Sequence, residues 1–502
     1  MSRFNCALCV VGVLVIVGLV IHLDRVPSPW WDEGWTLSVA RNWMELGHYG
    51  RLLAGVPVLR GQDYGFPITG AVALSFWAFG IGIDQARVVA VVFTLGALIL
   101  LYRLGRRLYS PSIGLASIVV VVGLTNKAEI NPLYMGRQVL GEIPALLFLL
   151  AGYHCFMSAE KRTWLFIAGA ICCWSLALLL RIQARPFFVV AMLVPLIVAM
   201  RQREKRSALW FAIGLVGSLV LYALIFYLIE QFSPSESVVS GLTPLLALVV
   251  IPQIRFVVLT RAIEFGIPTC LGLCWAFWGL WKRRKLPYSF PKEVRLSLFV
   301  LAGSWFGWYV TLSIGWPRYM LPSVFLGSIF VAAMLSEWTN QFNIKWTIEH
   351  AAAVLKIRFS LQNLAALASV IVVVASFAGT IKGLYAAHAL YADDSIKEVT
   401  RFLNTQTPPD AMIETYESEL FFLLNRRYHY PPDQMVVELL RYKIFGEKPR
   451  IDYDPMVANP DYLVAGFQST YWDLYDKQLN SGQFQLIQSY PKYRVYRRVR
   501  QN

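Results

Sequence analysis

Two adjacent carboxylates follow the first apolar stretch of the chain, in the run Trp30-Trp31-Asp32-Glu33-Gly34-Trp35. A carboxylate at a membrane is costly to remove from water, so it is seldom found there without a partner or a role. Tryptophan is typical of the membrane–water interface, because the indole joins an apolar body to one N–H donor. The run therefore predicts a reactive carboxylate held at a membrane surface.

Asp32 and Glu33 cannot address one substrate atom equally, because adjacent residues of a helix point about 100° apart. We expect Asp32 to react and Glu33 to support it as the second acid of the pair. Two structural interpretations stay open. Asp32 could be the N-cap of a helix that begins at Glu33, or the acidic pair could form an ion pair with Arg41 or Arg51.

Basic residues also lie near the predicted outer surface, where the orientation of the chain does not call for positive charge. They are Lys127, Arg137, Arg181, Arg185, Arg255, Arg261 and Arg318. The planar fork of arginine suits phosphate, since it makes two parallel charge-assisted hydrogen bonds. The alternative for each side chain is a contact with lipid headgroups. Taken together, the residues predict a site for the phosphate of a lipid.

Glu142 is a third acidic candidate, in the run Gly141-Glu142-Ile143-Pro144. Proline at this position is typical of the first turn of a helix. The carboxylate then lies at the outer end of a membrane span. It is either a second active-site acid or the partner of Arg137 or Lys127, and both interpretations stay open.

These residues must be positioned by membrane helices. The chain has 502 residues, of which 57% are hydrophobic and 15% charged, whereas soluble domains carry about 25% charged residues. We predict about eleven spans, at 5–23, 84–102, 113–124, 139–157, 164–180, 187–200, 208–229, 262–281, 296–315, 319–336 and 364–384. The stretches 66–82 and 241–252 are expected to lie at the interface or to be re-entrant.

The basic residues predict the orientation of these spans, because they concentrate in alternate loops. The N-terminus is expected in the cytoplasm, and the acidic pair and the C-terminal region outside the plasma (inner) membrane. Residues 1–387 then form the membrane domain, with a long first outer loop at 24–83. Residues 388–502 are predicted to form a small soluble α/β domain.

The net charge of +15 does not indicate nucleic acid. Residues 388–502 carry 14 Lys and Arg against 15 Asp and Glu, so the excess lies in the membrane part, where it serves topology and contacts with membrane lipids. All seven cysteines fall in apolar spans and are expected to be core residues. No motif for nucleotide or zinc chemistry is present, and nothing in the sequence specifies a metal site.

Local patterns add detail to the two outer regions. In the first loop Trp31, Trp35, Val39 and Trp43 recur every four residues, which predicts a helix lying on the membrane surface and ending at Gly47. Pro67 is expected to open a second interfacial helix. In the tail we predict a helix from Asp394 to Leu403, strands at Met412–Tyr416 and Asp461–Val464, a helix at Gln434–Phe445, and a hairpin of Phe484–Ser489 with Tyr493–Val499.

This layout resembles the GT-C membrane glycosyltransferases of the protein O-mannosyltransferase and aminoarabinose transferase type. The likeness rests on the acidic pair of the first loop and on several further short runs. They are Asp84-Gln85-Ala86-Arg87, Tyr102-Arg103-Leu104-Gly105-Arg106-Arg107-Leu108, Gly136-Arg137 with Glu142-Ile143-Pro144, Arg318-Tyr319-Met320-Leu321-Pro322, and Asn404-Thr405-Gln406-Thr407-Pro408-Pro409-Asp410-Ala411. Each run is short, and only their combination is specific. An aromatic residue usual soon after the acidic pair is shifted here.

The resemblance implies transfer of a sugar from a polyprenyl-phosphate carrier to an acceptor on the outer face of the membrane. It implies that Asp32 is the catalytic base and that Arg318 and Tyr319 lie near the carrier phosphate. Glu142 would match the acidic position of the second outer loop. The acceptor would be a glycan, a lipid or a protein. Some relatives use a divalent metal, for which this chain shows no dedicated residues.

We therefore expect an inverting glycosyltransferase of the cell envelope, since one base and a group of cations suffice for attack on an anomeric carbon. One alternative is a transporter or flippase of lipid-linked sugars, in which the arginines bind phosphate and nothing reacts. The other is a non-catalytic membrane scaffold whose C-terminal domain binds a partner.

Overall fold

The structure is a computed structural model that describes residues 3–59, 65–159, 163–234, 249, 251–282, 288–390, 393–446, 448 and 453–499. The predicted interfacial stretch 241–252 lies outside the described residues apart from positions 249, 251 and 252.

Helices make up most of the chain. They are α1 (Arg3–Val20), α2 (Trp31–Leu46), Phe66–Phe79, Ile83–Leu108, Pro111–Gly123, Pro132–Met135, Glu142–Ser158, Thr163–Leu180, Ala184–Arg201, Lys205–Phe232, Pro252–Lys282, Phe290–Leu312, Leu321–Trp338, Ile344–Leu355, Leu361–Tyr385, Ser395–Gln406, Gln434–Phe445, Phe467–Tyr471 and Asp476–Asn480. Each of the eleven predicted spans falls on one of them. Within the described residues, six helices are long and apolar enough to cross a membrane, and five shorter apolar helices accompany them.

One of the six, Pro317–Trp338, is enclosed by the others: 89% of its apolar window is buried. Its packing uses small residues, since at Gly327 an added Cβ would lie 2.8 Å from the methyl of Thr269 on a neighbouring helix. Close approach through small side chains is typical of membrane helix contacts. The 3₁₀ turn Pro317–Met320 begins this span, so Arg318 is held at the end of the most buried helix among the six.

The strands form two sheets. The hairpin of β1 (Arg51–Leu53) and β2 (Val56–Val58) follows α2. The C-terminal sheet contains β3 (Met412–Thr415), β4 (Arg427–His429), β5 (Tyr462–Ala465), β6 (Phe484–Ser489) and β7 (Arg494–Arg498). Its order is β4-β3-β5-β7-β6, with β3 parallel to both neighbours and β7 antiparallel to both of its own. The predicted fold class, a polytopic helical membrane protein with a small C-terminal α/β domain, is confirmed.

The first loop differs from its prediction in two respects. Helix α2 begins at Trp31 with Trp30 as N-cap, and no side chain caps it, so the interpretation of Asp32 as an N-cap is wrong. The tryptophan face packs on the C-terminal domain. The ring of Trp31 packs on Tyr416, and Trp35 packs on Phe421, at centroid distances of 5.6 and 5.0 Å. The C-terminal domain covers this face, because its own aromatic rings complete the apolar contact.

Two buried glutamates shape the loop after β3. Burial raises the pKa of Glu417, and the hydrogen bonds that it accepts from the backbone N–H groups of Gly466, Gln468 and Ser469 offset part of this effect. Glu419 accepts a bond from the Tyr493 hydroxyl, 3.0 Å away. Burial and the neighbouring Glu417 charge raise the pKa of Glu419 to about 8. Glu419 therefore keeps a proton at neutral pH.

The raised pKa of Glu419 predicts a pH-dependent stability. The folded protein keeps a proton on Glu419 that the unfolded chain releases above the ordinary glutamate pKa of about 4.3, so stability falls as pH rises from there towards 8. In Glu419→Gln, whose amide oxygen can still accept from Tyr493, this fall in stability with rising pH should be absent. Thermal unfolding of the full protein in detergent between pH 5 and 9 measures it.

The matched control is Asp476→Asn, which neutralises an exposed carboxylate of the same domain. Its unfolding midpoint should follow the wild-type pH slope. Identical slopes in wild type and Glu419→Gln would contradict the assignment of the proton to Glu419.

Candidate active site

Four separate chain segments bring charged residues together at one end of the helices. Asp32 lies in the first turn of α2, and Glu142 is the first residue of the helix Glu142–Ser158. Arg181 follows the helix Thr163–Leu180 directly, and Arg318 lies in the turn before Leu321–Trp338. Both carboxylates are at helix N-termini, where the backbone dipoles favour negative charge.

The four side chains form an alternating chain of charges. The Nη1 atom of Arg318 lies 2.5 Å from Oδ2 of Asp32, and its Nε lies 3.9 Å from Oε1 of Glu142. Arg181 forms an ion pair with the same oxygen of Glu142. Two guanidinium groups thus alternate with two carboxylates, and the formal charges of the cluster cancel. Partly buried charges persist only when they are paired in this way.

Exposure distinguishes the members of this cluster. The side chain of Asp32 is 19% exposed, Arg318 9% and Glu142 3%. Asp32 is therefore the carboxylate that an entering molecule can reach most easily. Glu142 is enclosed between the two arginines and is suited to hold them apart at a fixed spacing.

Aromatic rings enclose the Arg318 guanidinium. Its carbon lies 4.7 Å from the ring centroid of Trp30, 5.0 Å from that of Trp316 and 5.6 Å from that of Tyr319. Cation–π contacts of this kind stabilise a guanidinium and limit its rotation. Tyr319, predicted beside the phosphate site, thus contributes its ring to the surroundings of Arg318. Trp30 and Trp316 were not predicted for this role.

Glu33 has a different environment from Asp32. Both of its oxygens accept from Arg87, at 3.0 Å from Nε and 2.8 Å from Nη2, and both side chains are fully buried. The backbone N–H of Val139 donates to Glu33 as well. Both carboxylate oxygens of Glu33 are bonded inside the protein, so Glu33 holds α2 in place and is not exposed as Asp32 is. Its partner is Arg87, and the suggested pairing with Arg41 or Arg51 does not occur.

Arg137 is also buried away from the charge cluster. It donates to the backbone oxygens of Leu19, Ile21 and Val26, which fixes the end of α1 and the segment that leads to α2. The structure does not pair it with Glu142, whose ion-pair partners are Arg181 and Arg318. The carbonyls at the end of α1 and in the segment after it have no helical partners, so they can accept the three hydrogen bonds from Arg137.

The remaining predicted cations are dispersed. Lys127 pairs with Glu129 at 3.2 Å in an exposed position. Arg185 lies over the ring of Tyr222 at 4.2 Å, one helix turn beyond Arg181 in the chain. The structure thus brings Asp32, Glu142, Arg181 and Arg318 into one cluster and leaves Lys127, Arg137 and Arg185 outside it.

Arg255 and Arg261 support the site indirectly. Both lie on the helix Pro252–Lys282, and they donate to the backbone oxygens of residues 310–315, at 2.8 Å for Thr311 and 2.5 Å for Gly315. That segment connects the helix Phe290–Leu312 to the turn of Arg318. Its carbonyls are the unpaired groups expected at a helix C-terminus. The two arginines therefore fix the path of the chain immediately before Arg318.

Chemically, the cluster offers one accessible base beside cations that could stabilise a developing negative charge. Among the described residues, no group of three or more His, Cys, Asp and Glu side chains is placed to hold a metal ion.

The helical arrangement and the C-terminal sheet together define the GT-C fold of polytopic membrane glycosyltransferases. Among solved structures, the aminoarabinose transferase ArnT from Cupriavidus metallidurans superposes with TM-scores of 0.62 with bound undecaprenyl phosphate and 0.64 in the apo state, at 14% identity over 99% of this chain and 98% of ArnT. The oligosaccharyltransferase AglB from Archaeoglobus fulgidus, in complex with an inhibitory peptide and a dolichol-phosphate, gives 0.56 at 12% identity, over 96% of this chain and 72% of AglB. No family model and no curated protein sequence matches the chain.

The buried Arg87–Glu33 pair predicts a large loss of stability when one partner is removed. Arg87→Met leaves the Glu33 carboxylate without its cation, which costs about 3–5 kcal/mol for buried pairs. We expect a clear fall in the thermal unfolding midpoint of the detergent-solubilised protein. Adding Glu33→Met should restore part of it, because the unpaired charge is then gone.

A matched control exists in the Arg25–Asp394 pair, whose atoms are 3.0 Å apart with side chains 49% and 33% exposed. Surface pairs contribute about 0–1 kcal/mol, so Arg25→Met should change the midpoint little. Equal effects of Arg25→Met and Arg87→Met would show that the buried pair does not hold α2.

Proposed function

We propose that this protein transfers a sugar from a polyprenyl-phosphate carrier to an acceptor at the outer face of the plasma membrane, with inversion at the anomeric carbon. The observation that carries the proposal is the Asp32–Arg318–Glu142–Arg181 cluster, an accessible carboxylate bonded to a guanidinium at the end of membrane-spanning helices. The GT-C fold supports it. The solved neighbours with bound undecaprenyl phosphate and dolichol-phosphate support a lipid phosphate as the carrier.

Asp32 acts as the base in this proposal. An oxygen or nitrogen of the acceptor attacks the anomeric carbon and transfers its proton to the Asp32 carboxylate. As the new bond forms, the bond from that carbon to the carrier's phosphate oxygen breaks, and its electron pair leaves with the phosphate. A single displacement of this kind inverts the configuration. Asp32 suits the role because it is the most exposed member of the cluster.

Arg318 and Arg181 stabilise the phosphate as it leaves. The carrier begins as a singly charged diester and departs as a monoester with additional negative charge, and preorganised cations act most strongly where charge develops. A guanidinium can offer two parallel hydrogen bonds to phosphate oxygens. Glu142 keeps both guanidinium groups at the same place, since it pairs with each of them.

The contact between Asp32 and Arg318 also sets an order of events. The Arg318 guanidinium lies 2.5 Å from the Asp32 oxygen, so the carboxylate and a phosphate would compete for the same donor. An arriving phosphate releases Asp32 from part of this contact. Donor binding thereby frees an oxygen of Asp32 for the acceptor, and the acceptor is activated only when the donor is present.

The central test is Asp32→Asn, which retains the size of the side chain but cannot accept a proton. We expect loss of at least 10²-fold in sugar transfer, in line with the 10²–10⁴-fold contribution of a positioned general base. Binding of the carrier should persist or strengthen, because a carboxylate that competes for Arg318 has been removed. The assay incubates purified protein with labelled polyprenyl-phosphate sugars and acceptor glycans, lipids and peptides, and follows release of the carrier phosphate.

Lys382→Gln is the control, since Lys382 is an exposed cation on another helix and its loss should leave transfer unchanged. Full activity of Asp32→Asn would refute the proposed base. Movement of intact sugar-lipid across the membrane without release of carrier phosphate would instead support the flippase.

A second test addresses the phosphate. Arg318→Gln should weaken binding of undecaprenyl phosphate to the protein in nanodiscs by about tenfold or more, because a charge-assisted bidentate contact is lost. Arg318→Lys should recover part of the affinity through its charge. The binding isotherm is measured together with thermal unfolding, so that misfolded variants are recognised. If a folded Arg318→Gln variant binds undecaprenyl phosphate with wild-type affinity, Arg318 is not part of the phosphate site.

A further inference from the structure

Helix α2, which carries Asp32, is bonded on its other side to the C-terminal domain. The contacting segment is the 416–425 loop, which follows β3. The indole Nε1 of Trp31 donates to the backbone oxygen of Tyr416 at 3.1 Å. In return, the Ser418 hydroxyl donates to the backbone oxygen of Trp31 at 2.6 Å. The residue next to Asp32 is therefore fixed through both its side chain and its backbone.

Gly34 brings the two backbones into direct contact. A Cβ atom built at Gly34 would lie 2.3 Å from the backbone nitrogen of Glu419 and 2.4 Å from its Cα. Real Cβ atoms do not approach backbone this closely, and no flexible side chain is present to give way. Glycine is thus required here for close approach, and not for an unusual backbone angle.

The helix is also held at its far end. Arg41 donates to the backbone oxygens of Phe422 and Leu424 at 3.1 and 2.8 Å. Arg51, just after α2, pairs with Asp433 at 2.8 Å. The contacts with the C-terminal domain therefore extend along the whole of α2.

The 416–425 loop is rigid enough to serve as a support. Glu417 and Glu419 are buried within it and bonded to other parts of the domain. Phe421 stacks on Tyr428 with a centroid distance of 4.1 Å. The hydrogen bonds of Glu417 and this aromatic contact favour one conformation of the loop.

The helical geometry relates this loop to Asp32. Residues two positions apart in a helix point about 200° apart, so Gly34 faces the loop while Asp32 faces the opposite side, towards Arg318. A shift of α2 away from the loop would consequently move Asp32 towards or past Arg318. The distance between Asp32 and Arg318 therefore depends on the distance between α2 and the 416–425 loop.

We propose that the 416–425 loop is a positioning element for Asp32, acting through Gly34, Trp31 and Ser418. This inference rests on the proposed function, since it takes Asp32 as the base. The loop residues do not touch the reacting atoms. They set the position of the helix that presents the base, so the C-terminal domain takes part in the reaction through this helix.

The test compares variants in the full-length protein. Gly34→Ala should lower kcat by about 10²-fold, the effect of displacing a reacting group by about 1 Å, with little change in the KM for the donor. Ser418→Ala and Trp31→Phe each remove one hydrogen bond and should lower kcat several-fold. They provide the test if Gly34→Ala fails to fold. The matched control is Ser38→Ala on the same helix, whose hydroxyl bonds only to Trp35 within α2, and its kcat should be unchanged.

The pH profile separates positioning from damage to the fold. If the loop positions Asp32, the acidic limb of kcat/KM should move in Ser418→Ala and Trp31→Phe, because the contact of Asp32 with Arg318 changes. Partial unfolding would lower kcat/KM by the same factor at every pH and would leave the acidic limb at the same pH. If Asp32→Asn is inactive but folded Ser418→Ala and Trp31→Phe keep wild-type kcat and profile, the positioning inference is overturned and the proposed function stands. Full activity of Asp32→Asn would overturn the proposed function and this inference with it.

Discussion

The buried pair of Arg87 and Glu33 is the interaction on which the rest of the site depends. Besides both oxygens of Glu33, the guanidinium bonds to the backbone oxygens of Leu23 and Pro27. One side chain thus connects the segment after α1, the start of α2 and the helix Ile83–Leu108. A fully buried charge is tolerated only with this degree of pairing. Four N–H groups of Arg87 are bonded in this way, which fixes the N-terminal end of α2.

The charge cluster at the site differs from this buried pair in its exposure. Its four groups are also paired, but one of them, Asp32, keeps part of its surface accessible. A partly exposed carboxylate of this kind can give up its guanidinium partner to an incoming anion, whereas Glu33 cannot. Adjacent residues in the chain therefore have opposite roles: one is enclosed to hold the helix, and the other remains available for chemistry. Their separation of about 100° around the helix makes this division possible.

Helix α2 lies between the membrane helices and the C-terminal domain, and nine of its 16 residues are buried. On one side it contacts the membrane helices through Glu33 and Arg87, and on the other it contacts the C-terminal domain through Trp31 and Gly34. The buried apolar residues of the two parts form one continuous cluster, in which Trp35 contacts both Phe421 and Tyr430. The C-terminal domain is for this reason part of the architecture of the site.

Local patterns were sufficient for much of the fold. Apolar runs located eleven of the helices, and short strand-forming runs between turn residues located β3, β5, β6 and β7, because hydrophobicity and turn residues are properties of the local sequence. The end of α2 at Gly47, which has a left-handed conformation, was also predicted from the sequence, since it depends on one residue. Strand β4 was missed, because three residues are too short to show a period.

By itself, the sequence determined a polytopic membrane protein with an acidic pair after its first span, since hydropathy and residue type are local properties. Which arginines meet which carboxylates was decided only by the tertiary structure. Arg137 and Arg318 are alike as residues, yet one bonds to carbonyls near α1 and the other to Asp32. The contact of Gly34 with the C-terminal domain joins positions almost four hundred residues apart. Such pairings depend on how helices pack, and packing is a property of the whole chain.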